Sequence, residues 1–290
     1  MKRHATTIKI ILICLLTLAG IAVFSYPYVS SYLSKLHASR VVSAYAKNVA
    51  GTDPKILAAE LKRAHDYNDD LAGNPVHDPF LAGSGIALDK NYLSLLNIDG
   101  VMGSVVIPKI GVNLPIYHGT AAETLTKGIG HLEGTSLPVG GDRTHAVLTG
   151  HTGLSYARMF TDLTELKVGD EFFIQVLGQT LAYQVDQIKV VLPENTTDLR
   201  LFPGHDYVTL LTCTPYGIND HRLLVRGTRV PYHPGDEKKA PSTKGLTYEQ
   251  KLALITGLIT AAVMTLLIVV ASLVQRRRRQ TRARKLTRTP

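Results

Sequence analysis

Two uncharged apolar runs bracket this chain, and they decide what the residues between them can become. Residues 10–24 carry no charge, with apolar character continuing past Pro27 to Val29, and residues 252–274 carry none over 23 positions. At a rise of about 1.5 Å per residue, the second run is long enough to cross a hydrocarbon core of roughly 30 Å. A buried core helix is the competing explanation, but the length of the run and its abrupt stop at Arg276–Arg279 argue against it. The first run is shorter, so a cleaved secretory signal competes with a retained anchor. Ala19-Gly20-Ile21-Ala22 is a poor cleavage site, and a retained anchor is the expectation. Cationic flanks stay on the cytoplasmic side. Both termini are therefore expected inside the cell and residues 30–251 outside it.

The formal net charge of +9 belongs to the ends. Lys2, Arg3 and Lys9 precede the first run, and Arg276, Arg277, Arg278, Arg279, Arg282, Arg284, Lys285 and Arg288 follow the second. Removing these 11 cations from the 32 in the chain leaves 21 against 23 acids. The middle is slightly acidic, so a nucleic-acid partner loses its electrostatic footprint.

Cysteine usage sharpens the question. Of the two cysteines, Cys14 lies in the first apolar run, so the exported part holds Cys213 alone and no disulfide can form within it. Exported domains usually pair their cysteines. A lone exported thiol is either a buried, inert hydrophobe or a reactive group with a task, and the count leaves both open.

Pattern divides the chain into an N-terminal anchor (1–29), helices followed by a loop-rich segment (30–90), a strand-rich domain (91–231), a tether (232–251), a membrane span (252–274) and a basic tail (275–290). Helical spacing of Leu33, Leu36, Val41 and Tyr45 predicts a helix over 31–48. Thr52 or Asp53 caps a second, with Pro54 first, running to about Tyr67. Clusters of Asn, Asp, Gly and Pro between 68 and 85 read as loop. Strands are expected over 101–107, 114–116, 145–149, 171–176, 181–191, 207–213 and 223–229, with Pro115 marking an edge strand. Short helices are expected over 121–127 and 154–166. Many short strands with Gly and Pro turns predict a mainly β, closed or nearly closed barrel.

Within Tyr207-Val-Thr-Leu-Leu-Thr-Cys213, alternation puts Val208 and Leu210 on one face and Thr209, Leu211 and Cys213 on the other. Cys213 then stands at a strand end beside a loop mouth, where an activated thiol can meet a substrate. Arg222 follows at the start of the next strand. A hairpin would make the two cross-strand neighbours, about 5 Å apart at Cβ. Its guanidinium could hold a carbonyl or stabilise an oxyanion, and a solvated surface arginine is the plainer alternative. Candidate acid/base histidines are His151, set between Gly150 and Thr152 just past a strand, and His118, His145 and His221. There is no His-Glu-x-x-His, no paired-Cys spacing and no phosphate-binding glycine loop, so neither a metal nor a cofactor is called for.

Thr209-Leu210-Leu211-Thr212-Cys213 resembles the Thr-Leu-x-Thr-Cys signature of the sortases. Thr149-Gly150-His151 resembles the surroundings of their histidine, Arg222 falls at their arginine, and Ile107–Gly119 is similar to a family stretch. The resemblance covers roughly 91–231. It implies an eight-stranded sortase barrel with Cys213, His151 and Arg222 as catalytic residues, acting on proteins with a Leu-Pro-x-Thr-Gly-like sorting signal at a Gram-positive cell surface. The C-terminal span, and Asp78-Pro79-Phe80 ahead of the barrel, resemble the class C, pilus-assembling sortases. That resemblance implies a lid, with Asp78 directed at the Cys/Arg pair and Phe80 over the pocket. It also implies a pilin Lys as the acceptor amine. Two other readings stay open: an enzyme using a peptidoglycan amine to anchor proteins to the wall, and a non-catalytic membrane scaffold with a sortase-like barrel.

Overall fold

The computed structural model describes residues 2–71, 77–80, 88–238, 255–265 and 269. The basic tail, most of the tether and loop, and much of the second apolar run lie outside them. Two compact units are present, Val29–Ser242 and a second made of Met1–Tyr28 with Thr243–Pro290.

Helix α1 spans Lys2–Gly51, and its Leu15–Gly51 portion is long and apolar enough to cross a membrane, which fits an N-terminal anchor. A shorter apolar helix, α5, covers Ile255–Thr265. Within Val29–Ser242, the later turns of α1 bury Tyr45 and Val49 against Val101. The Tyr45 hydroxyl donates to the Met102 carbonyl at 3.0 Å and accepts from the Leu177 N–H at 2.9 Å. One phenol thus ties the helix to two barrel segments. Helix α2 (Pro54–Asp70) starts as the sequence predicts, with Pro54 at its first position and the Asp53 carboxylate accepting from the Lys55 N–H. It runs on to Asp70 because Asn68 is buried, bridging both the N–H and the carbonyl of Leu137.

Eight strands close a barrel: β1 (Gly103–Ile107), β2 (Val112–His118), β3 (Ile129–His131), β4 (Thr144–Thr149), β5 (Glu171–Val176), β6 (Gln179–Val191), β7 (Asp206–Thr214) and β8 (His221–Val230). Their order is β1-β2-β3-β4-β7-β8-β6-β5, with β5 returning to β1. Closure leaves no open sheet edge. Val105, Ile107, Ile116, Leu148, Ile174, Val208, Leu210 and Val225 fill one continuous core. Across β7 and β8, Leu211 and Leu224 turn the other way, into a second cluster with Leu132, Val147, Leu199 and the side chains of Phe80 and Val191.

Four sequence expectations change. The strand around Pro115 is longer than 114–116 and is no edge: β2 pairs with β1 on one side and β3 on the other. The proline is accommodated because the β3 ladder begins only at Ile116. Strand β3 itself is absent from the expectation. A Cβ at Gly130 would stand 2.4 Å from the Gly119 carbonyl oxygen, so close strand approach requires a residue that the sequence pattern reads as loop. Five-residue α3 (Lys90–Ser94) is too short to show a period, although it buries Tyr92. Residues 154–166 form bends and a 3-10 turn over Thr161–Glu165 in place of a helix. Met159 has a positive φ of 39°, and the Phe160 N–H folds back onto the His151 carbonyl at 3.0 Å. The expected helix over 121–127 is α4 (Ala122–Lys127).

Candidate active site

Strands β7 and β8 form the hairpin the sequence predicts, and their register pairs Cys213 with Arg222. Both point to the face that carries Leu211 and Leu224, away from the main core. The thiol is half-buried and free. Arg222 is buried, which removes the solvated-surface alternative.

Every arm of that guanidinium is occupied. Nε donates to Asp78 Oδ2 at 2.6 Å and Nη2 donates to Asp78 Oδ1 at 2.9 Å. Nη1 donates to the carbonyls of Asn219 and His221, each at 3.1 Å. Asp78 is itself buried, and its Oδ1 also accepts from the Phe80 N–H at 2.9 Å. This local turn fixes where Phe80 goes. Its ring centroid lies 5.4 Å from that of His151, and the Arg222 guanidinium carbon sits 5.2 Å from the Phe80 centroid. Phe80 thus touches the imidazole and the guanidinium at once.

His151 is held by backbone stitching from β7. The Gly150 N–H donates to the Leu211 carbonyl at 3.1 Å, and the Thr212 hydroxyl donates to the Gly150 carbonyl at 2.7 Å. A Cβ at Gly150 would lie 2.7 Å from Ile129 and 2.8 Å from Phe160, so the loop packs flat against the barrel. The residue before the histidine is thereby bonded to the two residues before the cysteine. Thr212 went unassigned in the sequence reading. Its signal there is its place in the Thr-Leu-x-Thr-Cys signature, and its acceptor is a backbone carbonyl that the signature does not name.

The rival histidines are committed elsewhere. His118 Nε2 lies 2.6 Å from the Leu95 carbonyl oxygen. His145 bridges the Arg200 carbonyl and the Thr209 hydroxyl, both at 2.7 Å. His221 is exposed, pairs with Asp220, and stands opposite Thr214, where alternation turns it from the Cys213 face. Arg226 is held by Asp186 and lies 4.1 Å over the Tyr207 ring.

Electrostatically, both reactive candidates rest uncharged. Burial pushes the Cys213 thiol above its ordinary value; Arg222 pulls it down and Asp78 pushes it up again. Burial holds His151 below the usual imidazole range, so it is neutral at pH 7. A neutral thiol and a neutral imidazole are both latent, since the thiolate is the nucleophile.

Residues 105–230 match the sortase domain family. The chain is 52% identical to the solved sortase C-1 of Streptococcus pneumoniae, covering 67% of this chain and 100% of that one, with a TM-score of 0.63. It is 56% identical to the solved sortase C-1 of Actinomyces oris, covering 62% of this chain and 100% of that one, with a TM-score of 0.60. Sortase D of Bacillus subtilis (strain 168) is 30% identical over 131 residues, 44% of this chain and 63% of that relative, so the match spans less than two thirds of its length. The Asp78–Arg222 fork, the Cys213 pair across the β7–β8 hairpin and these likenesses converge: the chain belongs to the sortase family, among the class C sortases.

Proposed function

We propose that this chain is a membrane-tethered cysteine transpeptidase that joins pilin subunits, with Cys213 as nucleophile, His151 as acid/base and Arg222 as carbonyl and oxyanion stabiliser. The observation that carries the reading is the pairing of Cys213 with a buried, fork-presenting Arg222, under a phenylalanine that also contacts His151. The Cys213 thiol gives its proton to His151 as its sulfur attacks the Thr carbonyl of a Leu-Pro-x-Thr-Gly-like signal, and the oxyanion that forms meets the guanidinium. His151 protonates the departing amine as the C–N bond breaks, leaving a thioester. A neutral Lys amine of the next subunit attacks that thioester and gives its proton to His151, which passes a proton to the departing Cys213 sulfur and so restores the thiol. No external energy source is needed, because amide is exchanged for amide. Pilin as substrate is supported by a solved Streptococcus pneumoniae sortase C that bears on pilin substrate specificity.

Asp78-Pro79-Phe80 acts as a lid in this reading. Asp78 fills the guanidinium fork a substrate carbonyl needs, and Phe80 covers the path to the thiol. Anchoring is two-pass, with both termini cytoplasmic and the barrel outside.

Mass spectrometry tests the chemistry. Mixing the protein with sorting-signal peptides is expected to add the acyl fragment to Cys213 as a hydroxylamine-labile thioester, and C213A is expected to add none. A protein that shows neither adduct nor thiol labelling, even with Asp78 and Phe80 replaced, is a scaffold. A thioester resolved by a peptidoglycan amine but never by pilin Lys makes the chain a wall-anchoring enzyme.

A further inference from the structure

Among the described residues, one buried side-chain oxygen has no hydrogen-bond partner, the hydroxyl of Thr149. Thr149 ends β4 two residues before His151 and is fully buried. Folded proteins rarely leave such a group unsatisfied, and those that remain mark strain or a task. Nearby threonines are all engaged. The Thr144 hydroxyl donates to the Gly141 carbonyl at 2.8 Å, that of Thr209 lies 2.7 Å from His145 Nε2, and that of Thr212 donates to the Gly150 carbonyl at 2.7 Å.

Register gives this hydroxyl its direction. Ala146 and Leu148 of β4 face the main core, while Val147 belongs to the cluster on the opposite face. Alternation puts Thr149 on the side of Val147. Across the parallel β4–β7 pair Thr149 stands beside Leu211, and Cys213 follows two residues on, on that same face. Strand spacing sets the two Cβ atoms roughly 8 Å apart. The flank toward β3 is sealed: Gly130 is the neighbour there, and a Cβ on it would meet the Gly119 carbonyl oxygen at 2.4 Å and Leu125 at 2.9 Å. The flank toward β7 is covered differently. Phe80 packs on the cluster that holds Val147 and Leu211, and it belongs to the segment ahead of the barrel.

A hydroxyl under an apolar cover is costly, and it becomes useful once a polar group replaces the cover. An extended peptide whose carbonyl carbon meets the Cys213 sulfur passes this point within one or two residues. We propose that the Thr149 hydroxyl is a substrate-binding group, hydrogen-bonding a main-chain amide of the sorting signal next to the attacked bond once Phe80 has left. This rests on the transpeptidase reading above and adds a contact that is independent of the signal's side chains. The hydroxyl then acts with opposite sign in two states: it weakens the resting fold and strengthens the substrate complex. A hydroxyl with a structural role would strengthen the fold instead.

The test compares T149V, which keeps the volume and removes the hydroxyl, with T149S, which keeps the hydroxyl. The full chain in detergent micelles is mixed with a Leu-Pro-x-Thr-Gly peptide, and thioester formation at Cys213 is followed by mass spectrometry against peptide concentration. T149V is expected to raise the half-saturating concentration about five- to ten-fold with the limiting rate nearly unchanged, the range of one uncharged hydrogen bond. T149S is expected to stay within about two-fold of wild type. The T149V shift is expected to persist when F80A is added, where no ring covers the site, which separates a substrate contact from an effect on the lid. In urea, T149V is expected to unfold at the same concentration as wild type or a higher one. Wild-type kinetics in T149V, loss of its shift in the F80A background, failure of T149S to restore binding, or a T149V urea midpoint below that of wild type would each overturn the proposal. A wild type that forms no thioester overturns the transpeptidase reading and this one together. A reactive wild type with an unaffected T149V overturns this one alone.

Discussion

In the proposed enzyme, the Asp78–Arg222 pair is the contact on which reactivity turns. A buried carboxylate two-pronged on a guanidinium occupies its fork; burial is what chiefly pushes the neighbouring thiol up, with Arg222 opposing it and Asp78 adding to it. D78N keeps the shape of the side chain and removes its charge. It is expected to shift the pH midpoint of Cys213 alkylation downward, because the Asp78 contribution pushing the thiol up disappears while the one from Arg222 remains. Alkylation of the wild type is expected to rise with pH through a midpoint above the ordinary thiol value. F80A is expected to raise the alkylation rate several-fold at pH 7 with a smaller change in midpoint, since it uncovers the sulfur without altering charge. Equal rates and midpoints for wild type, D78N and F80A would show that the segment does not guard the thiol. R222K keeps the charge but loses the fork, and acyl transfer is expected to fall by about a hundred-fold.

At the scale of elements, the hairpin of β7 and β8 does the positioning, and Thr212 extends its reach to the histidine loop. T212V removes the bond to the Gly150 carbonyl while keeping the volume. It is expected to lower the thioester rate about ten-fold with little change in the substrate concentration for half-saturation, as loosened geometry does. Y45F strips two backbone partners from one buried hydroxyl, at a cost of about 1–3 kcal/mol in a denaturant titration. The same elements show what a sequence discloses. Strands β7 and β8 run nine and ten residues and are joined by a short loop, so their hairpin pairing, the side on which Cys213 faces and the Cys213–Arg222 pair are readable from the sequence. Strand β3 spans three residues around a glycine that reads as loop, and only packing creates it. Asp78 sits in a stretch whose composition reads as solvated turn, yet it is buried against a partner 144 positions away. Nothing local encodes that burial; only the resemblance to a family pointed there. The choice of His151 among its rivals was equally non-local, since His118 and His145 are excluded by core partners that appear only on folding.

For the whole molecule, acid is the expected weakness. Burial drives His131 and His145 down to about 4, and each is neutral and hydrogen-bonded in the fold. An unfolded imidazole titrates near 6.5. Stability is therefore fully present above that value and lost as pH falls toward the folded-state value, by up to about 3 kcal/mol for each group. Urea midpoints measured at pH 7.5 and 4.5 are expected to fall steeply, and a flat profile would contradict the burial. The Asp78 fork also has a consequence for how the protein is measured. In the proposed transpeptidase, a substrate must displace an internal competitor that is covalently part of the chain and cannot be diluted away. Apparent affinity is then the intrinsic affinity scaled by the fraction of open molecules. Inhibitor screens on the resting protein are then expected to underrate ligands that seat on Arg222 beside Cys213, while substrate crowded at a surface is expected to gain disproportionately.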